Sequence, residues 1–167
     1  MNIRPMTDAD ADAVLQIFQE GCDTGNATFS EHAGNWADWD AGHLPVCRLV
    51  AESENVFSGW AALSPTSTRH VYRGVAEVGL YVAANARGQG VGAALLQEMI
   101  DAADIEGIWT LQALIFPENS GSMTLFQKFG FTHAMTHEKL GLMQHGPMAG
   151  QWRDVAHLER RSKKVGI

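Results

Sequence analysis

Read for the spacing of its apolar positions, the chain alternates strand-like and helix-like segments. It opens on "NIRPM", which predicts a short strand, and runs into a stretch where Val14, Leu15, Ile17 and Phe18 recur at helical spacing. Thr7 is placed to cap that helix, and Asp8 and Asp10 put negative charge in its first turn, where unpaired backbone N–H groups favour it. "GCDTGNATFSEHAGNWADWDAGH" is polar yet holds Phe29, Trp36 and Trp39, with Asn35 as the cap of a second, short helix. "VCRLVAES" and "NVFSGWAALS" predict two strands joined by a turn near Glu54–Asn55, and "RHVYRGVAEVGLYVAA" predicts a third, long one. A helix from about Gly90 to Glu106 leads to the apolar strand "WTLQALIF". The loop "PENSGS" then opens a short helix ending near Gly130, and the last third reads as two strands around a glycine-rich loop. The order β-α-α-β-β-β-α-β-α-β-β predicts a mixed sheet with helices on its faces, an α+β or mixed α/β domain and not a doubly wound one.

Composition narrows the class. No repeat, linker or low-complexity tract interrupts the 167 residues, so residues 1–167 read as one domain. A net charge of −7 argues against a non-specific nucleic-acid binder, which needs a basic stripe to neutralise phosphates. The one cationic cluster, "RRSKK" at Arg160 to Lys164, reads as a solvated terminus. Cys22 and Cys47 match no metal spacing and read as reduced thiols. The first residues carry no apolar signal core, and no run approaches the ~20 apolar residues that span a bilayer. A cytoplasmic protein without membrane or nucleic-acid partners is the expectation. His32, His43, His70, His133, His137, His145 and His157 show no ligand spacing on one predicted helix, so no metal is expected.

The chemistry concentrates in "LYVAANARGQGVGAALLQEMIDAA", where a strand breaks into a glycine-rich turn and resumes as a helix. A nucleotide-binding P-loop would need lysine and a hydroxyl after its last glycine, and no lysine follows Gly92. Gly88-x-Gly90-x-x-Ala93 satisfies the permissive dinucleotide fingerprint, but that fingerprint belongs on the first strand of a repeated βαβ fold with an acidic residue ending the next strand. Neither condition is met. Arg87-x-x-Gly90-x-Gly92 is the third candidate: glycines without side chains let the backbone approach a ligand, and the amides of Gly88 to Ala93 at a helix N-terminus suit a pyrophosphate. A ligand-free strand-to-helix turn is the plain alternative.

This segment resembles the acetyl-CoA pyrophosphate loop of the GNAT superfamily of N-acyltransferases, and the element order is similar to theirs. "NSGSMTLFQKFGF", Asn119 to Phe131, resembles the same superfamily's N-x-x-S-x-x-L-Y-x-x-x-G-F segment beside the pantetheine arm. "TGNATFSE", "YRGVAEVGLYVAANARGQGVG" and "GQWRDVAHLER" extend the likeness to the phosphinothricin and methionine sulfoximine or sulfone N-acetyltransferases. The resemblance implies a GNAT-like fold with a central, mostly antiparallel mixed sheet. It also implies acetyl-CoA as co-substrate without a metal, the α-amino group of a small amino-acid analogue as acceptor, direct transfer in a ternary complex, and a homodimer. A polyamine or protein N-terminus as acceptor, or a non-catalytic acyl-CoA sensor, are the rival readings.

Carried over residue by residue, the resemblance makes Glu77 the base, acting through a water. It gives the cofactor Leu80, Tyr81, Val82, Arg87, Gly88, Gln89, Gly90, Val91, Gly92, Ala93 and Asn119. An oxyanion donor is expected among the backbone amides of Leu80 to Val82. Thr28 and Phe29 wall the acceptor pocket; Trp36 and Trp39 are further candidates for that wall, with a core or dimer-interface role as the favoured reading of both. Glu77 lies in an otherwise apolar strand, which raises a carboxyl pKa; a solvent-facing position or a pair with Arg73 is the alternative. Arg73 and Tyr72 are the further substrate-binding candidates: an arginine could hold a carboxylate in bidentate fashion, and strand alternation would put Arg73 on the face of Glu77; the alternative is a surface arginine. Two departures stand out. Phe126 replaces the tyrosine that often protonates the leaving thiolate, and Met148-Ala149 stand where some relatives carry Lys-His.

Overall fold

The computed structural model describes residues 1–53 and 56–167, so the turn expected at Glu54–Asn55 lies outside the described residues. Seven strands form one sheet: β1 (Asn2–Pro5), β2 (Leu49–Ser53), β3 (Val56–Pro65), β4 (Val75–Val82), β5 (Thr110–Ile115), β6 (Thr132–Leu142) and β7 (Trp152–Arg161). Their order across the sheet is β1-β2-β3-β4-β5-β7-β6. Every neighbouring pair is antiparallel except β4 and β5, which run parallel and are joined by the helix α3 (Val91–Ile105) as a crossover. The fold is therefore the expected α+β arrangement.

Alternation sorts the side chains of β3 and β4 onto two layers. Trp60 and Tyr81 stand opposite each other and stack at 4.9 Å on the face covered by α1 (Ala11–Asp23) and α2 (Trp36–Gly42). Gly59 faces the other way, where a Cβ would meet Leu95 and Val91 of α3 at 3.2 Å. α3 buries Val91, Leu95, Leu96, Met99, Ile100 and Ala103, a wide apolar stripe that packs on β2, β3 and β4. α4 (Ser120–Lys128) covers β5 beside it.

Two local readings change. Thr7 caps a 3-10 turn, Asp8–Asp10, which continues into α1, and Asp10 in turn accepts from the Thr7 amide at 2.7 Å. The long strand expected from Arg69 is interrupted. His70–Tyr72 form a 3-10 turn, and the strand begins at Val75. Gly74 explains the break: a Cβ there would sit 2.1 Å from the Trp109 ring, and its carbonyl accepts from Trp109 and Thr110. The basic tail is also pinned. Ser162 donates to buried Asp104 at 2.6 Å, and Lys164 pairs with Asp104 at 3.2 Å.

Candidate active site

β4 and β5 pair only from Val75–Thr110 to Glu77–Gln112. Beyond that point each strand stays committed to its outer neighbour, β4 to β3 as far as Val82 and β5 to β7 as far as Ile115. The inner edges part, and a cavity of about 270 Å³ opens between them. Its walls include residues 77–81 of β4, 113–115 of β5 and Phe116 just beyond β5. A strand aims its amides alternately at its two neighbours, so those of β4 that point toward the missing stretch of β5 have no ladder partner. The Ala83 amide donates to the Ser58 carbonyl of β3, so by alternation Tyr81 also turns its amide to β3, while the amides of Leu80 and Val82 are left to donate toward the gap.

Glu77 stands at the closed end of this gap, on the layer of Gly79 and Tyr81. Burial pushes its carboxyl pKa up, as the apolar strand predicts. Among the described residues it is the cavity's one carboxylate, and no histidine, lysine or arginine lines the walls. Tyr81 lines the same layer, with its ring edge-on to Phe18 at 4.9 Å; burial drives its phenol pKa well above the ordinary value. A Cβ at Gly21 of α1 would lie 2.6 Å from that ring, so the glycine lets the helix close over it.

At the open end of β4 the chain turns through Gly88 and Gly90, at φ +75° and +85°. Both sit in the left-handed region that L side chains avoid, and neither has a neighbour within 4 Å of where a Cβ would be. Gly90 is the N-cap of α3 and offers no side-chain cap, and the first intrahelical bond runs from Ala94 to the Gly90 carbonyl, so the amides of Val91, Gly92 and Ala93 have no helical partner and carry the positive end of the helix dipole. Gly92 has a different reason: a Cβ would come within 3.1 Å of Leu125, so it permits α3 to approach α4. Arg87 is exposed, with Nε donating to the Val82 carbonyl at 3.3 Å, and Gln89 donates to Asn85 at 2.8 Å. An anion of pyrophosphate size fits this uncapped, unobstructed loop.

Asn119, Ser122 and Phe126 bring α4 to the cavity on its other side. Asn119 caps α4, accepting from the Ser122 amide at 3.2 Å, while its Nδ2 donates to the Asn26 carbonyl at 3.1 Å. Phe126 is buried edge-on to Phe131 at 4.9 Å and lines the cavity without a proton to give.

A family model described as "Acetyltransferase (GNAT) family" matches residues 12–131. The chain belongs to this family. It is an N-acetyltransferase whose co-substrate is acetyl-CoA. It is 31% identical over 169 residues to a phosphinothricin N-acetyltransferase of Alcaligenes faecalis, covering 95% of this chain and 81% of that one. A match of higher identity, 41% over 96 residues, spans 59% of a Bacillus subtilis relative. Among solved structures it superposes on a phosphinothricin acetyltransferase from Sinorhizobium meliloti in complex with AcCoA, with a TM-score of 0.86, 25% identity, and 99% and 90% of the two chains covered. It also superposes on a ribosomal-protein-alanine N-acetyltransferase from Brucella melitensis, with a TM-score of 0.86, 29% identity, and 97% and 100% covered.

The acetyltransferase places its other named residues unequally. Thr28 and Phe29 line the cavity on the layer of Glu77. Phe29 packs edge-on to Phe116 at 4.9 Å and lies over Gly141, where a Cβ would come within 2.6 Å of the ring. Trp36 does not line the cavity. It stacks on buried Trp39 at 4.7 Å, and Trp39 meets Trp60 edge-on at 5.3 Å, so both serve the core under α2. Tyr72 and Arg73 belong to the 3-10 turn ahead of β4 and are not among the lining residues, so strand alternation does not relate Arg73 to Glu77. The Arg73 guanidinium lies over the Trp109 ring at 5.3 Å and donates to the His70 carbonyl at 3.4 Å.

The sequence pattern alone does not single out Arg153 of β7. It is one of the largest fully buried side chains, 2% exposed. Its guanidinium donates to the Gly25 carbonyl and to Asn26 Oδ1, both at 2.8 Å, and pairs with Glu118 at 3.1 Å. A signal is nonetheless present in "QWRDVAH". Arg153 shares the phase of Val155 in a strand whose buried positions are otherwise apolar, and a charge at such a position needs partners.

Proposed function

We propose that this acetyltransferase acetylates the α-amino group of a small amino-acid-like acid, of the phosphinothricin, methionine sulfoximine or methionine sulfone type, by direct transfer in a ternary complex. The observation that carries this reading is the cavity, which reaches both layers of the sheet and holds Glu77 as its one carboxylate among the described residues. Acetyl-CoA supplies an activated thioester. Arg87 and the amides of Gly88 to Ala93 would hold its pyrophosphate, and the Leu80–Val82 backbone with Asn119 would hold the arm that enters between β4 and β5.

An ammonium ion is no nucleophile, so a proton must leave before the amine attacks. Glu77 takes it through a water. Its raised pKa makes it a better base near neutrality than an ordinary glutamate. As the carbonyl oxygen turns anionic, an unpartnered amide of Leu80 to Val82 donates to it. The departing thiolate is a good leaving group with a low pKa, so Phe126 leaves the reaction without a dedicated acid at no large cost. Thr28 and Phe29 close the acceptor side. The acceptor's carboxylate falls to a group that swings in, and Arg73, exposed on its turn and loosely held, is assigned that role.

We also assign the enzyme a homodimer and the cytoplasm. α1 packs on β3 and β4, while Leu114 and Met135, on the same layer farther along the sheet, are 41% and 49% exposed and suit an interface with a second copy. Both cysteines are buried and unpaired, as a reducing compartment allows. Light scattering after gel filtration tests the dimer, and fluorescence microscopy of the tagged chain in its host tests the compartment.

The Brucella neighbour's name favours a second reading, a protein N-terminal alanine as acceptor. Thiol release from acetyl-CoA decides between them, measured against phosphinothricin, methionine sulfoximine, methionine sulfone, ordinary amino acids, a polyamine and an Ala-initiated peptide. Turnover confined to the methionine-like acids supports the proposal. Turnover with the peptide alone overturns the acceptor and keeps the reaction.

A further inference from the structure

Arg153 does not touch the cavity, yet it binds the segment that forms the acceptor wall. The loop after α1 runs from Thr24 to Phe29 with no strand or long helix of its own. Its entry is fixed by Arg153 through Gly25 and Asn26, with further ties from the Asn119 side chain on the Asn26 carbonyl and from the Tyr81 hydroxyl at Thr28. Immediately after Asn26 come Ala27, Thr28 and Phe29, which line the cavity. The Arg153 guanidinium also lies 3.7 Å from the centroid of Phe116, the ring against which Phe29 rests. One buried cation therefore fixes the start of the loop and the floor under its end.

We infer that Arg153 is the positioning residue of the acceptor pocket, holding Thr28 and Phe29 in place through the Gly25–Asn26 backbone and the Phe116 ring. The guanidinium fork suits this role, because its donors reach two points of the loop at once, which a lysine's single ammonium cannot reproduce. Glu118, 54% exposed at its side chain, supplies the counter-charge from the segment leading into α4. The loop is thereby tied to β7 and to the start of α4 together, so acceptor wall and cofactor side keep a fixed relation.

The inference rests on the proposed acetyl transfer for its kinetic readout and on the fold alone for its second readout. Arg153→Lys and Asn26→Ala cut the same link from its two ends. Each should raise the acceptor KM about tenfold, the order expected for one charge-assisted hydrogen bond, while the acetyl-CoA KM stays within about twofold. The double variant should be no worse than Arg153→Lys, because the bond that Asn26→Ala removes is among those that Arg153→Lys already removes. Amide hydrogen exchange should quicken in residues 24–29 ahead of β7 and α3 in Arg153→Lys, whatever acceptor the enzyme uses. Acceptor and acetyl-CoA KM rising together, or exchange quickening throughout the sheet, would reduce Arg153 to a structural residue and overturn the inference. So would unchanged exchange at 24–29 in both single variants. If the wild type acetylates none of the small acids but the exchange result holds, the acceptor assignment fails and the positioning role stands.

Discussion

Replacing Glu77 by glutamine tests the assignment of the base, and the cavity sets how large the effect should be. Among the described residues no histidine lines it, the Tyr81 phenol is pushed up and cannot take a proton near neutrality, and Thr28 and Ser122 offer only hydroxyls. Nothing present can take over, so the whole general-base contribution is lost, about 10²–10⁴-fold in kcat. That corresponds to about 3–5 kcal/mol of barrier. Acetyl-CoA binding should hold within about twofold, since the anion loop lies at the other end of β4. Stability should move the opposite way. The folded-state pKa of Glu77 is raised, so its carboxylate is harder to ionise in the native state, and the wild type loses stability as pH rises from the ordinary carboxylate range through the raised value. Glu77→Gln should therefore melt higher than wild type at pH 7, with the gap closing below about pH 4. The wild-type kcat/KM should fall on the acid side through the raised pKa, and that limb should be absent from the variant. Steady-state thiol release and calorimetry across pH 4 to 8 measure all of this. A variant within about threefold of wild-type kcat and with an unchanged melting curve would refute the assignment, because only a solvent-facing glutamate is silent in both.

Gly90→Ala should raise the acetyl-CoA KM about fivefold with little change in acceptor KM: no atom blocks the new methyl, so the ~1 kcal/mol of strain at φ +85° is relieved by turning the loop amides away and is met again on binding. Arg73→Ala should raise the KM of carboxylate-bearing acceptors and leave that of a polyamine unchanged; equal KM values for both would return Arg73 to the surface of Trp109. Asp10, held down to about 2 chiefly by its hydrogen bond to Arg4, contributes stability that is complete above the ordinary carboxylate range and lost as pH falls from about 4 to about 2. In acid titrations Asp10→Asn should remove about 1–2 kcal/mol of that dependence, after allowance for the solvent that screens Arg4.

The elements that the pattern announced share a property: their signal is local. α3 repeats apolar residues at helical spacing for fifteen residues, and Gly88 and Gly90 mark a turn that needs left-handed backbone, so helix and loop were legible from neighbours in sequence. Glu77 was legible as the one charge in an apolar strand. What the sequence hid depends on partners far along the chain. Gly74, packed on Trp109 thirty-five positions on, delays the start of the expected strand to Val75, and Arg73 is left on the turn before it, off the layer of Glu77. For Trp36 the sequence left pocket wall, core and dimer interface open, and its partner Trp39, one helical turn away over a core that includes Trp60, decides for the core. Arg153 meets Gly25 across 128 positions, and no periodicity reports such a bond.

The gap itself has the same origin. A parallel pair joined by a helical crossover gains fewer aligned hydrogen bonds per residue than the antiparallel ladders beside it. β4 keeps seven register pairs with β3, and β5 keeps six with β7, against three between β4 and β5. Where the twist of the two halves cannot be reconciled, the parallel pair is the one that opens. Glu77, in the last pair before the opening, is then the final residue of β4 whose place is fixed from both sides, and the amides beyond it are left to bind something else. On the proposed reading that is where a thioester entering from the α3–α4 side meets an amine entering from the side of Phe29. The base is therefore set in the rigid part of the sheet, and the donors in the part that has room for a ligand.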